Sequence, residues 1–405
     1  MYRLITNELQ KIFKRRKVLV VSIVFIAIIL LFSIVQYKAS HKTPAQTITE
    51  NEKNISALKS YMSYQDANGQ KSIKENIAQY KEQIRKSYRA EDLGKLNWKD
   101  RIEKQISDDE KKKNSSDIAG DNTKIEQVNE EILAKKYALK NNISDVSNDY
   151  DEKAIDVFDE MISVISLIIL PVIICIISLD VVSGECAPPT MKMLLTKPFS
   201  RGKILFSKFA ASSIASVIAI ACSELISLII LGFVVGFGKI NAPMTLGTRY
   251  EFNASKVLAG NWHDVEAVLG SSYVMPQWKF IIEMFALQIL FIICFTSICM
   301  LISVIANSNT LSMTSGIVIA VIISFIIIKV TAGDGSAAGD VPFRRIAPYL
   351  INTYSSPGFL LSGDLANQIK NPDISVSLGI AVNLITGAVS YIIAHIWFTK
   401  KDMLV

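Results

Sequence analysis

The sequence predicts an all-α membrane protein: six transmembrane helices, with a large extracytoplasmic helical-hairpin insertion between the first and second. Three observations carry the prediction. Hydrophobic residues make up 50% of the 405-residue chain and mean hydropathy is +0.33. They gather in blocks of about 20, the length that crosses ~30 Å of hydrocarbon: 18–37, 157–179, 209–235, 280–305, 311–330 and 376–398. The connectors also differ in charge on alternate sides, and the one long polar segment, 38–156, repeats apolar residues at helical spacing.

Residues 1–17 place Leu4, Ile5, Leu9, Ile12 and Phe13 on one helical face and hold six Lys/Arg against one acid, a net +5. They form either a positive flank for the first span or, the favoured reading, an amphipathic interfacial helix whose Arg15, Arg16 and Lys17 sit among anionic lipid headgroups. The block at 18–37 is too long for a signal-peptide core. Tyr37-Lys38-Ala39 makes a poor cleavage site, so the block is expected to stay as a span.

The segment 38–156 holds 22 basic and 22 acidic residues. Ile118, Ile125, Ile132, Leu139 and Val146 recur every seven residues, with Val128 as a further apolar position. Lys135 and Asn142 stand where a second seam residue belongs. Ile55, Leu58, Met62, Ile73, Ile77, Tyr80 and Ile84 also repeat at helical spacing, and the polar run 107–123 reads as a turn. An antiparallel helical hairpin is expected, with a solvated loop as the alternative because the second seam is polar.

The connector 180–208 carries five Lys/Arg against two acids, and includes Pro188, Pro189, Pro198 and Gly202. A short basic connector between spans belongs in the cytoplasm. With residues 1–17 and the tail at Lys400-Lys401 on the same side, both termini are cytoplasmic and 38–156 is extracellular. A short helix at 191–195, bounded by prolines, would be a handle for a cytoplasmic partner. The connector leads out of 157–179, which Pro171 is expected to kink, and into the long block 209–235.

Three polar residues within the blocks are candidates for a substrate pathway. Glu224, flanked by Ser223 and Ser227, is costly at that depth unless paired or wetted; Gln288 and Asn383 are weaker candidates. The alternative for Glu224 is a neutral acid that hydrogen-bonds across helices. Outside the membrane, 236–278 and 331–375 form outer loops. The apolar part of the second, 346–361, is too short and broken to span, and reads as a re-entrant or surface-lying hairpin.

No GxxxxGK[ST] loop, GxSxG, HExxH or Cys/His cluster occurs. The chain is read as a non-enzyme with no metal or cofactor of its own. Cys175, Cys186, Cys222, Cys294 and Cys299 have no disulfide or metal spacing and read as apolar fillers. The net charge of +6 flanks the membrane blocks, which argues for topology and against nucleic-acid binding.

In the connector, Glu185, Thr190-Met191-Lys192, Leu194-Leu195, Pro198, Ser200-Arg201, Ile204-Leu205 and Lys208 fall in an order that resembles the cytoplasmic loop of type-2 ABC exporter permeases. Ala187-Pro188-Pro189 stands where that family has an aromatic residue and a glycine. The N-terminal NELQKIFKRRK and the ending Trp397-Phe398-x-Lys400-Lys401-Asp402 are similar to the family's two ends. The resemblance implies a membrane half-transporter that pairs with an identical or different permease and docks on a dimer of separate ABC ATP-binding subunits, which hold the ATP and magnesium. It also implies that Glu185, Thr190, Lys192, Leu194, Leu195, Pro198, Ser200, Arg201 and Lys208 couple the chain to those subunits. The transported substrate would be a peptide antibiotic, lipid, drug or ion. The alternative function is a non-transporting membrane sensor or scaffold that presents the extracellular coiled-coil hairpin. A secondary transporter has less support, because ion-relay residues are few.

Overall fold

The computed structural model describes residues 1–40, 44–62, 67–94, 96–115, 118–144, 153–185, 200–254, 264–306, 308–332 and 341–400. Among these, five helices are long and apolar enough to cross a membrane, or six if one bent pair counts as a span. The chain opens with α1 (Tyr2–Lys14), then the spanning α2 (Arg16–Ser40). The bent pair is α7 (Ala154–Ser166) and α8 (Ile169–Ser178), which meet at 65°. Pro171 has no N–H to give the Leu167 carbonyl one turn back, so the helix breaks there. A one-turn helix, α9 (Asp180–Ser183), leads to the connector. After the connector come α10 (Arg201–Val235), α11 (Gln277–Ile305), α12 (Asn309–Ala332) and, last, α16 (Val376–Lys400). α1 and the end of α16 lie on one face of the bundle, the terminal face, where α1 packs on α10 and Arg201 reaches Thr399.

The insertion after α2 departs from the expected single hairpin. It folds as two, α3 (Pro44–Tyr61) with α4 (Ala67–Gly94), and α5 (Trp98–Lys113) with α6 (Asn122–Lys140). Residues 107–113, expected to turn, continue α5. The helix supplies Ile102 and Ile106 as the partner seam for Val128 and Ile132 of α6. The polar seam position is used as well: Lys135 pairs with Asp109 at 2.5 Å and Lys136 with Glu110 at 3.0 Å. α5 ends at Lys113, and ahead of α6 Gly120 takes a φ of +86°, which suits glycine. Val146 lies outside the described residues.

A second departure is the presence of strands. β1 (Pro243–Leu246) pairs with β4 (Tyr273–Pro276), and β2 (Tyr250–Phe252) with β3 (Val265–Ala267), all antiparallel. These ribbons seat α6 on the distal face of the bundle. Glu126 of α6, 1% exposed, accepts from the backbone N–H of Gly270 (2.8 Å) and Ser272 (3.1 Å) and from the Ser272 hydroxyl (2.6 Å). One turn on, Glu130 accepts from the Thr248 hydroxyl at 2.5 Å.

The ribbon in turn holds the segment before α16. The segment runs through α13 (Val341–Ile346), two 3₁₀ turns (Ala347–Tyr349 and Ile351–Ser355), α14 (Pro357–Ser362) and α15 (Asp364–Ile369). Gly247 and Thr248 donate backbone N–H groups to Leu361 and Ser362. Gly363 sits against the Thr248 carbonyl at φ +97°, where a Cβ would lie 2.0 Å from that oxygen. The segment packs inside the bundle rather than over it. Asn352 is fully buried and donates to Ser324 in α12 at 3.0 Å, while Gly358 lies against Ser163 of α7. Non-helical backbone at that depth is tolerated because protein surrounds it.

The two carboxylates of the α6 seat respond to pH in opposite directions. At Glu126, burial pushes the carboxyl up, but bonds from Ser272, Asn129 and two backbone amides outweigh it and hold it below its ordinary value. Its contribution to docking is present above the ordinary carboxylate value and is lost as pH falls through the lowered one. Burial, with Asp364 and Glu126 nearby, raises Glu130, so its contribution is lost as pH rises through the raised value. At pH 7, Glu126→Gln is expected to weaken the seat by about 2 kcal/mol, seen as faster hydrogen exchange at Gly270 and Ser272. Glu130→Gln is expected to leave that exchange unchanged or slower.

Candidate functional site

The mouth of the connector is held by charges brought together from three parts of the chain. Lys208 lies about two helical turns into α10, and its side chain is 3% exposed. Its ammonium meets Glu185 at 2.5 Å, Glu8 of α1 at 3.1 Å and the Val181 carbonyl at 3.1 Å. Lys11 closes the ring, 2.7 Å from Glu8 and 3.1 Å from Glu185. Two acids and two bases therefore alternate. Burial pushes the Glu8 carboxyl up, but Lys208 and Lys11 outweigh it and hold it below its ordinary value. Such pairing is required of a buried ammonium, which is otherwise costly to desolvate.

A second cluster flanks the first. Asp180, at the start of α9, accepts from Arg15 at 2.6 Å and also pairs with Lys17. Lys17 additionally donates to the Ile176 carbonyl at 2.9 Å. Just inside, the Leu179 carbonyl accepts from three hydroxyls: Ser183 (2.8 Å), Ser303 of α11 (2.6 Å) and Ser312 of α12 (2.9 Å). The helix break between α8 and α9 would otherwise leave a buried acceptor short of donors.

The far end of the connector is anchored differently. Ser200 is the N-cap of α10, and its carbonyl accepts from Lys203 and Ile204. Arg201 donates to the Thr399 carbonyl of α16 at 3.3 Å, and Gly202 lies against the His395 ring, where a Cβ would come within 2.5 Å. The first part of the connector is thus tied to α1 and α10, and its end to α16. Among the residues the sequence singled out, Glu185 and Lys208 meet directly, while Ser200 and Arg201 stand at the other end. Thr190, Lys192, Leu194, Leu195 and Pro198 lie outside the described residues.

Within the bundle, Glu224 of α10 and Gln288 of α11 also meet. The Gln288 amide donates to one Glu224 carboxylate oxygen at 2.6 Å. Asn383 of α16 instead donates to the Gly379 carbonyl of its own helix at 2.8 Å.

Residues 2–403 match the family model described as ABC-2 family transporter protein. The chain belongs to the ABC-2 transporter family. An ABC-2 permease is the membrane subunit of an ABC transporter; it has no ATPase site of its own and associates with an ABC ATP-binding subunit. No curated protein matches the chain.

Sequence reasoning missed the partners of Lys208 and Glu185. The available signal was Glu8, the one acid among the bases of residues 1–17. An acid facing Lys11 from three residues away reads as a local helix pair, and only the fold brings Lys208 between it and the connector. Asp180, the other acid at the mouth, carried no spacing signal toward Arg15 and Lys17.

Lys208→Met leaves Glu8 and Glu185 facing each other with only the half-exposed Lys11 between them and is expected to destabilise the permease by about 2 kcal/mol. Thermal unfolding of the purified permease reads the loss. Adding Glu8→Gln and Glu185→Gln to Lys208→Met removes these facing charges and is expected to restore more than half of it.

Proposed function

We propose that this ABC-2 permease is an exporter subunit whose connector carries motion from an ATP-binding subunit dimer into the membrane bundle. The observation that carries the reading is the two-ended anchorage of the connector. Glu185 is locked to α1 and α10 through Lys208, and Arg201 is tied to α16. A displacement of the intervening loop is therefore passed to three helices at once. Charge supports a cytoplasmic terminal face: residues 1–17 carry a net +5, the connector a net +3, and 38–156 a net of zero. The distal domain is then extracellular.

In this reading, Thr190, Lys192, Leu194, Leu195 and Pro198 contact the ATP-binding subunit, which supplies ATP and magnesium. Glu185, Ser200, Arg201 and Lys208 hold the loop rigid against the bundle. A second permease, identical or different, completes the transporter. Glu224, Gln288 and Asn383 border the route of the substrate. The distal domain guards the exit, because α6 is bonded to the ribbon that also grips the buried segment 351–363. A movement of α6 is felt between α7 and α12, where that segment ends.

The test is copurification with the ATP-binding subunit, followed by ATP hydrolysis in reconstituted membranes. Glu185→Ala with Arg201→Ala is expected to leave membrane insertion intact and to abolish stimulated turnover; normal turnover would remove these residues from coupling. Deleting 45–150 is expected to leave the complex assembled and to alter its substrate response. Loss of assembly instead would make the distal domain an assembly element.

A further inference from the structure

Glu224 is the acid set deepest in the bundle among the described residues, and its surroundings are incomplete in one particular way. It precedes the end of α10 at Val235 by the same number of residues as Gln288 follows the start of α11 at Gln277, about 16 Å of helical rise in each case. The two side chains therefore meet near the middle of the hydrocarbon layer. Glu224 is 1% exposed and Gln288 2% exposed. One carboxylate oxygen takes the Gln288 amide; the other has no hydrogen-bond partner. No basic side chain pairs with the carboxylate among the described residues.

The polar groups around it share the same shortage. Ser223 and Ser227 have committed their hydroxyl protons to the carbonyls of Ala219 and Ser223 on their own helix, at 2.7 Å and 2.8 Å, and offer only lone pairs to a newcomer. On α16, Asn383 donates one of its two amide N–H groups to the Gly379 carbonyl, and its amide oxygen is unpartnered. The interior leaves acceptor oxygens of Glu224 and Asn383 unpartnered, and no positive charge among the described residues meets them. On the Gln288 face of α11, one and two turns onward, Phe291 and Phe295 stack with ring centres 5.4 Å apart. Rings of this kind suit an apolar body and present a negative face to a cation.

We propose that Glu224, oriented by Gln288, is the specificity-determining residue for a cationic amphiphile, a molecule with a primary ammonium head and an apolar tail. The proposal rests on the permease reading above. The ammonium brings three N–H donors and the missing charge to the unpartnered carboxylate oxygen, and the tail lies along Phe291 and Phe295 when α10 and α11 part. A neutral amphiphile supplies no charge to an acid surrounded by acceptors, so the site discriminates by head group.

The first experiment uses the purified full chain in lipid nanodiscs and dicyclohexylcarbodiimide, an apolar reagent that forms an N-acylurea with a buried carboxyl. The label is located by peptide mass spectrometry. Labelling at Glu224 is expected to slow roughly tenfold at saturating dodecylammonium, and to be unaffected by dodecanol. Equal protection by both, or no reaction at Glu224 at all, overturns the proposal, since a carboxyl closed to a small apolar carbodiimide is closed to a head group. The second experiment uses the reconstituted complex: dodecylammonium is expected to stimulate ATP hydrolysis with wild-type permease and not with Glu224→Gln. A response retained by Glu224→Gln overturns the assignment. Failure of the chain to assemble with the ATP-binding subunit sinks the permease reading alone, and leaves the carbodiimide result to judge the site.

Discussion

The fold depends on one constraint: within hydrocarbon and just beneath its surface, polar groups are stable only when other parts of the chain complete them. Lys208 shows it for charge. Its ammonium sits inside the terminal face, and the groups that make the position tolerable come from α1, the connector and the backbone of α9. The seating of α10 therefore depends on α1 and on Glu185 together, since each supplies part of what the buried ammonium needs. The N-terminal helix is thus a structural part of the connector's mouth.

The same constraint shapes the distal side with hydroxyls and amides in place of ion pairs. The buried segment before α16 breaks helical hydrogen bonding between Ala347 and Pro357, and it survives because Asn352 reaches Ser324 and the Tyr354 hydroxyl reaches the Pro348 carbonyl. The ribbon at Gly247 and Thr248 supplies two more backbone bonds from outside. Bundle and distal domain are continuous in hydrogen bonding from Glu126 to α12.

Much of this was legible in the sequence, and the reasons for the rest are physical. The spans were legible because hydrophobic length alone defines them, and the break near Pro171 because a missing N–H has a fixed consequence. The connector residues stood out as a pattern, but pairing between Lys208 and Glu8 joins residues far apart in the chain, and no periodicity encodes it. In the distal domain the heptad of α6 was visible, and its partner was misassigned: the charged run 107–113 reads as a turn by composition, yet Asp109 and Glu110 face Lys135 and Lys136 across a helical seam. The strands were missed because each is only three or four residues long, too short for alternation to register. Glu224 was conspicuous as an acid in an apolar block, whereas the partner it found, Gln288, was one of several polar residues in facing helices.

The Leu179 carbonyl carries a mechanical consequence. A carbonyl oxygen has two lone pairs, and three serine hydroxyls, from three different helices, converge on it. Ser312 can withdraw while the oxygen keeps two donors, from Ser183 and Ser303. Ser303 also accepts from the Ser183 backbone N–H at 3.0 Å, so α9 is fastened to α11 in both directions and is freer to shift against α12.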